Sequence, residues 1–151
     1  MESNRMRSDF GAKDAHPKLD FLRTYVFSTD HKIIGLQYGI TALLFLLGGF
    51  FLMMLMRWQL AYPTKPIPVF GSLLAKTFGK FASNGVVSPE LYYSFATMHG
   101  TIMVFLGVVP LGFAAFGNYL GPLQIGAPDM ALPRVNMLSY QAYFIGGVIL
   151  L

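Results

Sequence analysis

An uninterrupted apolar segment constrains this chain more than any other feature. The 24 residues from Ile33 to Met56 contain no Asp, Glu, Lys or Arg. As an α-helix, the segment is about 36 Å long, enough to cross the ~30 Å hydrocarbon core of a bilayer with some tilt. A cleaved signal peptide is disfavoured, because its apolar region is normally only about 7–15 residues long. The segment therefore predicts a transmembrane helix that ends at the interfacial residues Arg57 and Trp58.

Two further apolar segments predict a multi-span protein. The second span covers residues 91–117, with His99 as its only ionisable group of physiological interest and Pro110 as a tolerated kink. The third span covers 135–151, which is only about 25 Å of helix. A terminal carboxylate at Leu151 would lie inside the bilayer at a cost of several kcal/mol. We therefore expect an all-α membrane protein with two complete transmembrane helices (33–57 and 91–117) and part of a third, cut from a longer chain.

Composition excludes several other classes of protein. Only 12% of the residues are charged, against roughly a quarter in an ordinary soluble domain. The absence of Cys excludes disulfides, thiolate metal sites and iron–sulfur clusters. The net charge of +4 comes from dispersed basic residues, which disfavours nucleic-acid binding and favours contact with a lipid membrane.

The polar segments between the spans predict the topology. Residues 1–32 are expected to be a cytoplasmic N-terminal and interfacial segment, with the N-cap of the first span at 28–30. Residues 61–90 read as a loop that carries a short interfacial helix near 70–81, and 117–134 as a Gly/Pro-rich connection. The N-terminal segment and this connection together hold seven Lys/Arg, against four in 57–90. The positive-inside rule therefore places the N-terminus in the cytoplasm.

His99 is the principal candidate site residue. It lies nine residues after Glu90, about 13 Å below the outer surface, where an ionisable side chain suggests a function. A neutral imidazole there can bind a metal, shuttle protons or hydrogen-bond a neighbouring helix. Small neighbours such as Gly100 leave room for a flat group such as a porphyrin. His16 and His31 fall on the opposite side of the membrane, so a second axial ligand must come from other polypeptide.

The two remaining charged candidates have ordinary alternatives. Arg57 lies near the same outer boundary as His99, where it can pair with a propionate or act only as an interfacial anchor. Asp129, taken alone, is a loop carboxylate that can pair with Arg134.

Three sequence blocks resemble subunit I of the haem–copper oxidases, of the cytochrome c oxidase type. They are FSTDHKIIG at 27–35, FATMHGTIMVF at 95–105 and FGNYLGPLQIGAPDMALPRVNMLSY at 116–140. The similarity covers about residues 21–151, with the blocks in the family's order. It implies that residues 33–151 are the N-terminal part of a transmembrane domain of about twelve helices.

The resemblance implies a role for each candidate residue. His99 matches the axial ligand to the low-spin haem, and Arg57 matches the arginine that hydrogen-bonds a haem substituent and raises its potential. Asp129 matches the carboxylate at the mouth of the proton pathway called the D-channel. Asn118 and Asn136 match asparagines that hold water just inside that mouth.

Two positions depart from the family pattern. Met137 stands where many members have a second consecutive asparagine, which changes the water arrangement near Asn136. Gln59 stands where members with a bound alkali or alkaline-earth cation often have an acid, so we expect no such cation.

The function implied by the resemblance is that of a terminal oxidase in a bacterial inner membrane. Electrons would pass from cytochrome c through a low-spin haem, of type a, to oxygen at a high-spin haem and copper whose copper ligands lie outside this chain. Protons would be pumped. The implied partners are the remainder of subunit I, a copper-containing subunit II, other oxidase subunits and cytochrome c. The alternatives are a quinol oxidase of the same superfamily and a non-catalytic membrane scaffold in which His99 only packs between helices.

Overall fold

The computed structural model describes residues 25–151, and within this range the regular structure is entirely helical. Helix α1 spans His31–Ala61 and helix α2 spans Gly71–Phe78, followed by a 3₁₀ segment at Gly79–Gly85. A long helix, α3, spans Pro89–Ile125, and α4 spans Pro133–Leu150. The predicted N-terminal segment lies outside the described residues as far as residue 24.

Helices α1 and α3 are long and apolar enough to cross a membrane. Only 33% and 28% of the residues in their most apolar stretches are buried, so most of their apolar surface is open to the surroundings. A core helix of a soluble protein would be mostly buried, whereas a membrane-spanning helix exposes apolar side chains to lipid. The chain is therefore an all-helical membrane protein, as predicted.

Helix α1 begins at the predicted cap. The carboxylate of Asp30 accepts a hydrogen bond from the backbone N–H of Lys32 at 2.9 Å, which satisfies one of the free donors at the helix start. At its other end the helix continues to Ala61, one turn beyond Arg57.

Helix α3 continues to Ile125, eight residues beyond the predicted end of the second span. Gly126 ends it in the left-handed conformation, with φ of 70°, and the N–H of Ala127 bonds to the carbonyl of Pro122 at 2.9 Å. The predicted connection at 117–134 is therefore helical in its first half. Gly and Pro are more frequent in membrane helices than in soluble ones, so this composition does not end the helix.

The middle of α3 is π-helical on both sides of Pro110. These turns cover Ile102–Val108 and Pro110–Ala115. Proline has no N–H to donate, and a wider turn is one way for a membrane helix to accommodate it.

Close approach of α1 and α3 depends on glycines. A Cβ at Gly35 would lie 3.0 Å from the carbonyl oxygen of Ala115, and one at Gly49 would lie 2.7 Å from Sδ of Met103. Gly107 likewise lies directly against Leu46. Small residues at such positions let membrane helices pack backbone to backbone.

Helix α4 packs on α1 through tyrosines. The Tyr38 ring stacks on Tyr143, with ring centroids 5.2 Å apart, and meets Tyr140 edge-on at 5.1 Å. Tyr38 Oη and Ser139 Oγ are 3.0 Å apart, and Thr41 makes the same contact with Tyr140 Oη. These contacts place the N-terminal half of α4 beside α1.

The loop between α1 and α3 folds on a cluster of buried apolar side chains. Its members are Leu55, Met56, Ile67, Leu74, Ala82, Val87, Leu91 and Phe95. The amide of Gln59 joins both ends of the loop, because Nε2 donates to the carbonyl of Pro63 at 2.7 Å and Oε1 accepts from the N–H of Val87 at 3.1 Å. The predicted short helix is present as α2.

Candidate functional site

His99 is oriented by the main chain of the neighbouring helix. Its Nδ1 lies 2.8 Å from the backbone carbonyl oxygen of Gly49 on α1. A carbonyl oxygen only accepts hydrogen bonds, so Nδ1 carries the proton and the lone pair of the neutral ring is on Nε2. Histidines that bind metals commonly donate their other ring N–H to a carbonyl or carboxylate in this way. His99 therefore has the protonation pattern of a ligand that binds through Nε2.

Small residues surround His99 on α3. Ala96 lies three residues before His99 and Gly100 lies one residue after it. Both are exposed, and a Cβ added to Gly100 would meet nothing within 4 Å. Met98 instead packs into the buried cluster of Phe45, Ile102 and Leu106. This stretch of α3 thus packs against α1 through Met98 and through the Nδ1 contact of His99, while Ala96 and Gly100 lie on open surface.

Arg57 lies on the same side of α1 as the contact with His99. Gly49, Met53 and Arg57 are spaced by four residues, which places them on one helix face. Arg57 is about 12 Å farther along α1 than Gly49. It is exposed and forms no salt bridge with any residue in the range 25–151.

A second polar group lies at the opposite end of the helices. Asn136 Nδ2, on α4, donates to Oδ1 of Asn118, on α3, at 2.8 Å. The buried Asn118 in turn donates through Nδ2 to the carbonyl of Ala114 at 2.8 Å. The side chain of Met130 also contacts this pair, with Sδ 3.3 Å from Asn136 Nδ2. The structure thus brings together the two asparagines that the resemblance singled out.

Asp129 directly precedes Met130, whose side chain contacts this asparagine pair, and 43% of the Asp129 side chain is exposed. Its Oδ1 accepts hydrogen bonds from the backbone N–H of Met130 at 2.7 Å and from Nδ1 of His31 at 3.2 Å. The partner of Asp129 is therefore His31, and Arg134 forms no salt bridge with it.

Sequence reasoning considered His31 only as a second haem ligand and missed this contact. The signal was nonetheless present, because His31 lies inside one of the three resembling blocks and directly follows the helix cap.

The two groups are far apart along the bundle. His31 and Gly49 are separated by 18 residues of α1, or about 27 Å. Within residues 25–151, no group of three or more His, Cys, Asp or Glu side chains is arranged to hold a metal ion. His99 is thus a single potential ligand on α3, and Asp129 is an exposed carboxylate about 27 Å away along the bundle.

These features define a helical membrane protein with an oriented histidine on one long apolar helix and a polar cluster at one end of the bundle. The family model "Cytochrome C and Quinol oxidase polypeptide I" matches residues 33–151, and the chain belongs to this family.

Relatives from bacteria and an archaeon agree with this assignment. The chain is 42% identical over 126 residues to "Cytochrome c oxidase subunit 1" of Thermostichus vulcanus, covering 83% of this chain and 19% of that protein. It is 40% identical over 136 residues to the protein of the same name from Synechocystis sp., covering 90% of this chain and 21% of the relative. It is 37% identical over 133 residues to "Heme-copper oxidase subunit I+III" of Aeropyrum pernix, covering 88% of this chain and 14% of the relative. The chain thus spans about a fifth, or less, of these relatives.

Proposed function

We propose that this chain supplies one axial ligand of a low-spin haem and the entrance of a proton pathway in a respiratory oxidase. The observation that carries the proposal is the hydrogen bond from His99 Nδ1 to the carbonyl of Gly49, which leaves Nε2 as the ligating nitrogen. The small and exposed Ala96, three residues before His99 on the same helix face, supports the same interpretation, because a planar macrocycle must lie close to the helix that ligates it. If His99 served only to join α1 and α3, the hydrogen bond to Gly49 would be sufficient, and no space for a planar group would be needed.

A bound haem would supply one-electron transfer, and His99 is the residue of this chain that would hold it. The hydrogen bond to the Gly49 carbonyl orients the His99 ring relative to α1. Arg57, exposed and without an acidic partner in the described part of the chain, is available to hydrogen-bond a haem substituent. A cation held there would favour the more negatively charged reduced state of a bound haem and so would raise its potential.

The proton entrance is assigned to Asp129, Asn118 and Asn136. An exposed carboxylate collects protons from bulk water, and the buried amides beyond it can order water without trapping a charge. The hydrogen bond between Asn118 and Asn136 holds these amides together at the end of α3 and the beginning of α4. Met137, where many family members have a second consecutive asparagine, packs instead against the apolar cluster of Ile34, Tyr38 and Ala115.

The membrane orientation follows from the basic residues. Four Lys/Arg lie between residues 57 and 90, and seven lie in the N-terminal segment and the 117–134 segment. A cytoplasmic N-terminus in a bacterial inner membrane puts Asp129 on the cytoplasmic side, from which protons are taken up, and His99 nearer the outer side.

The proposed electron donor is cytochrome c. Two relatives at 42% and 40% identity are named cytochrome c oxidase subunits, although the family also includes quinol oxidases. The proposed assembly contains the rest of subunit I with a high-spin haem and copper, a copper-containing subunit II and other oxidase subunits. The low-spin haem is proposed to be type a.

Replacing Asp129 with Asn tests the proton entrance. We expect the Asp129→Asn complex to turn over at least tenfold more slowly and to lose proton pumping, because an amide cannot accept the proton. Proton release and uptake in reconstituted vesicles measure both quantities. Glu90→Gln, which removes an exposed carboxylate at the opposite end of the bundle, is the control and should leave both unchanged. Parent-like turnover and stoichiometry in Asp129→Asn would exclude this entrance.

A further inference from the structure

The imidazole of His31 is buried, and its Nδ1 faces two carboxylates. It is the first residue of α1, and its side chain is only 3% exposed. Nδ1 lies 3.2 Å from Oδ1 of Asp129 and 3.8 Å from Oδ1 of Asp30. The carboxylate of Asp30 already caps α1 through the N–H of Lys32 at 2.9 Å. The hydrogen-bonding partner of His31 is therefore Asp129, 98 residues away in sequence.

The other ring nitrogen has no comparable contact. Nε2 of His31 is buried and has no hydrogen-bond partner within residues 25–151. Burying a polar atom without a partner costs about 1–3 kcal/mol, which an apolar residue at this position would avoid. A residue present only to fill this space would be aliphatic. The presence of histidine despite this cost therefore points to the hydrogen bond between Nδ1 and Asp129.

The hydrogen bond acts on one oxygen of the carboxylate. Oδ1 of Asp129 receives both the Nδ1–H of His31 and the N–H of Met130. Oδ2 forms no hydrogen bond with any group in the described part of the chain, and the side chain is 43% exposed. The sulfur of the same Met130 lies 3.3 Å from Nδ2 of Asn136, so the residue whose N–H binds Asp129 also contacts the asparagine pair.

We infer that His31 is a positioning residue for Asp129: its Nδ1–H holds Oδ1 in place and leaves Oδ2 as the oxygen that takes a proton from bulk water. The inference rests on the proposed role of Asp129 as the proton entrance. It adds to that role a residue on a different helix, so that proton entry depends on the packing of α1 against the loop between α3 and α4.

Three substitutions at His31 separate positioning from packing. Leu fills the space without a donor. Asn places an amide N–H close to the position of Nδ1, whereas Gln places it close to Nε2. In the purified membrane complex that contains the chain, we expect His31→Leu and His31→Gln to slow proton uptake from the cytoplasmic side about tenfold. We expect His31→Asn to remain within about twofold of the parent, because it restores the hydrogen bond to Oδ1.

A second readout follows the carboxylate directly. In infrared difference spectra, His31→Leu should shift the carboxylate band that is absent from Asp129→Asn, and His31→Asn should leave it in place. The visible haem spectrum, which depends on residues about 27 Å away, should be unchanged in every variant and verifies assembly.

The outcomes distinguish this inference from the proposal beneath it. Equal slowing in His31→Leu and His31→Asn would show that only packing matters and would overturn the positioning role. Parent-like uptake in His31→Leu, together with slow uptake in Asp129→Asn, would overturn it while leaving the entrance intact. Parent-like uptake in Asp129→Asn would overturn the entrance itself.

Discussion

The Nδ1 atom of His99 on α3 lies 2.8 Å from the backbone carbonyl oxygen of Gly49 on α1. In a regular α-helix this carbonyl would also receive the N–H of residue 53, so the imidazole shares an acceptor that is already part of the helix. A glycine is suited to this position because a Cβ there would lie 2.7 Å from Sδ of Met103. The orientation of the candidate haem ligand thus depends on how closely two helices approach.

Gly49→Ala should disturb this contact. The added methyl group would lie 2.7 Å from Sδ of Met103, so this flexible side chain must move, at a smaller cost than a clash with main-chain atoms. We expect lower thermal stability of the complex and an altered low-spin haem potential, measured by unfolding in detergent and by redox titration. Gly48→Ala is the matched control, because a Cβ at Gly48 meets nothing within 4 Å. Identical behaviour of the two variants would argue against a role for helix approach.

Replacing His99 should remove the low-spin haem. His99→Ala deletes the proposed ligand, so the absorption band of the low-spin haem should be lost from the visible spectrum of the purified complex. Met98→Leu, a volume-conserving change at the adjacent residue on a different helix face, should retain the band. An unchanged spectrum in His99→Ala would contradict the ligand assignment and favour a scaffold role.

Replacing Arg57 should lower the potential of that haem. A charge-assisted hydrogen bond is worth about 1.5–3 kcal/mol, and only the part that differs between the two oxidation states changes the potential, which gives an upper limit of roughly 130 mV. We expect a decrease below this limit in Arg57→Met and a smaller decrease in Arg57→Lys, because lysine keeps the charge but loses the planar fork. Lys65→Met, which removes a cation from the neighbouring loop, should leave the potential within the error of the titration.

Much of the fold could be predicted from the apolar segments alone. A run of 24 uncharged residues has only one common explanation, which is why α1 was predicted almost to its ends. The end of α3 could not be predicted in this way, because Gly117, Gly121 and Pro122 indicate a loop in a soluble chain but are tolerated in a membrane helix.

The residues of the candidate site could be predicted from the sequence, but the contacts between them could not. His99 and Asp129 are conspicuous in sequence because ionisable side chains are rare in this chain. The contact between His31 and Asp129 joins residues 98 positions apart, and no local pattern encodes such a pairing. The same holds for the orientation of His99, whose acceptor is a main-chain atom that any residue type would provide.

Gly35 should be more sensitive to substitution than Gly39, although the two form one small-residue pair in sequence. A Cβ at Gly35 would lie 3.0 Å from the carbonyl oxygen of Ala115 and 3.1 Å from the backbone nitrogen of Tyr119, and main-chain atoms cannot move aside as a side chain can. A Cβ at Gly39 would meet only the Ala115 methyl group, at 3.7 Å. We expect Gly35→Ala to lower the unfolding temperature of the complex by several degrees and Gly39→Ala to have little effect. Equal effects would show that α1 and α3 pack less closely than this geometry requires.

The asparagine pair should be coupled in both stability and proton uptake. Asn136→Leu removes the donor to Oδ1 of Asn118, a residue that is only 7% exposed, and leaving such an acceptor unpaired costs about 1–3 kcal/mol. Proton uptake should also slow, because one of the two amides that order water at the entrance is lost. The double variant Asn118→Leu/Asn136→Leu should lose less stability than the sum of the two single changes, since it leaves no unpaired partner. A double-mutant cycle tests this, with denaturation and stopped-flow proton uptake measured on the parent, both single variants and the double variant. Gln124→Ala, which removes an exposed amide from the same helix, should change neither quantity. Strictly additive effects would mean that Asn118 and Asn136 act independently and would contradict a shared role at the entrance.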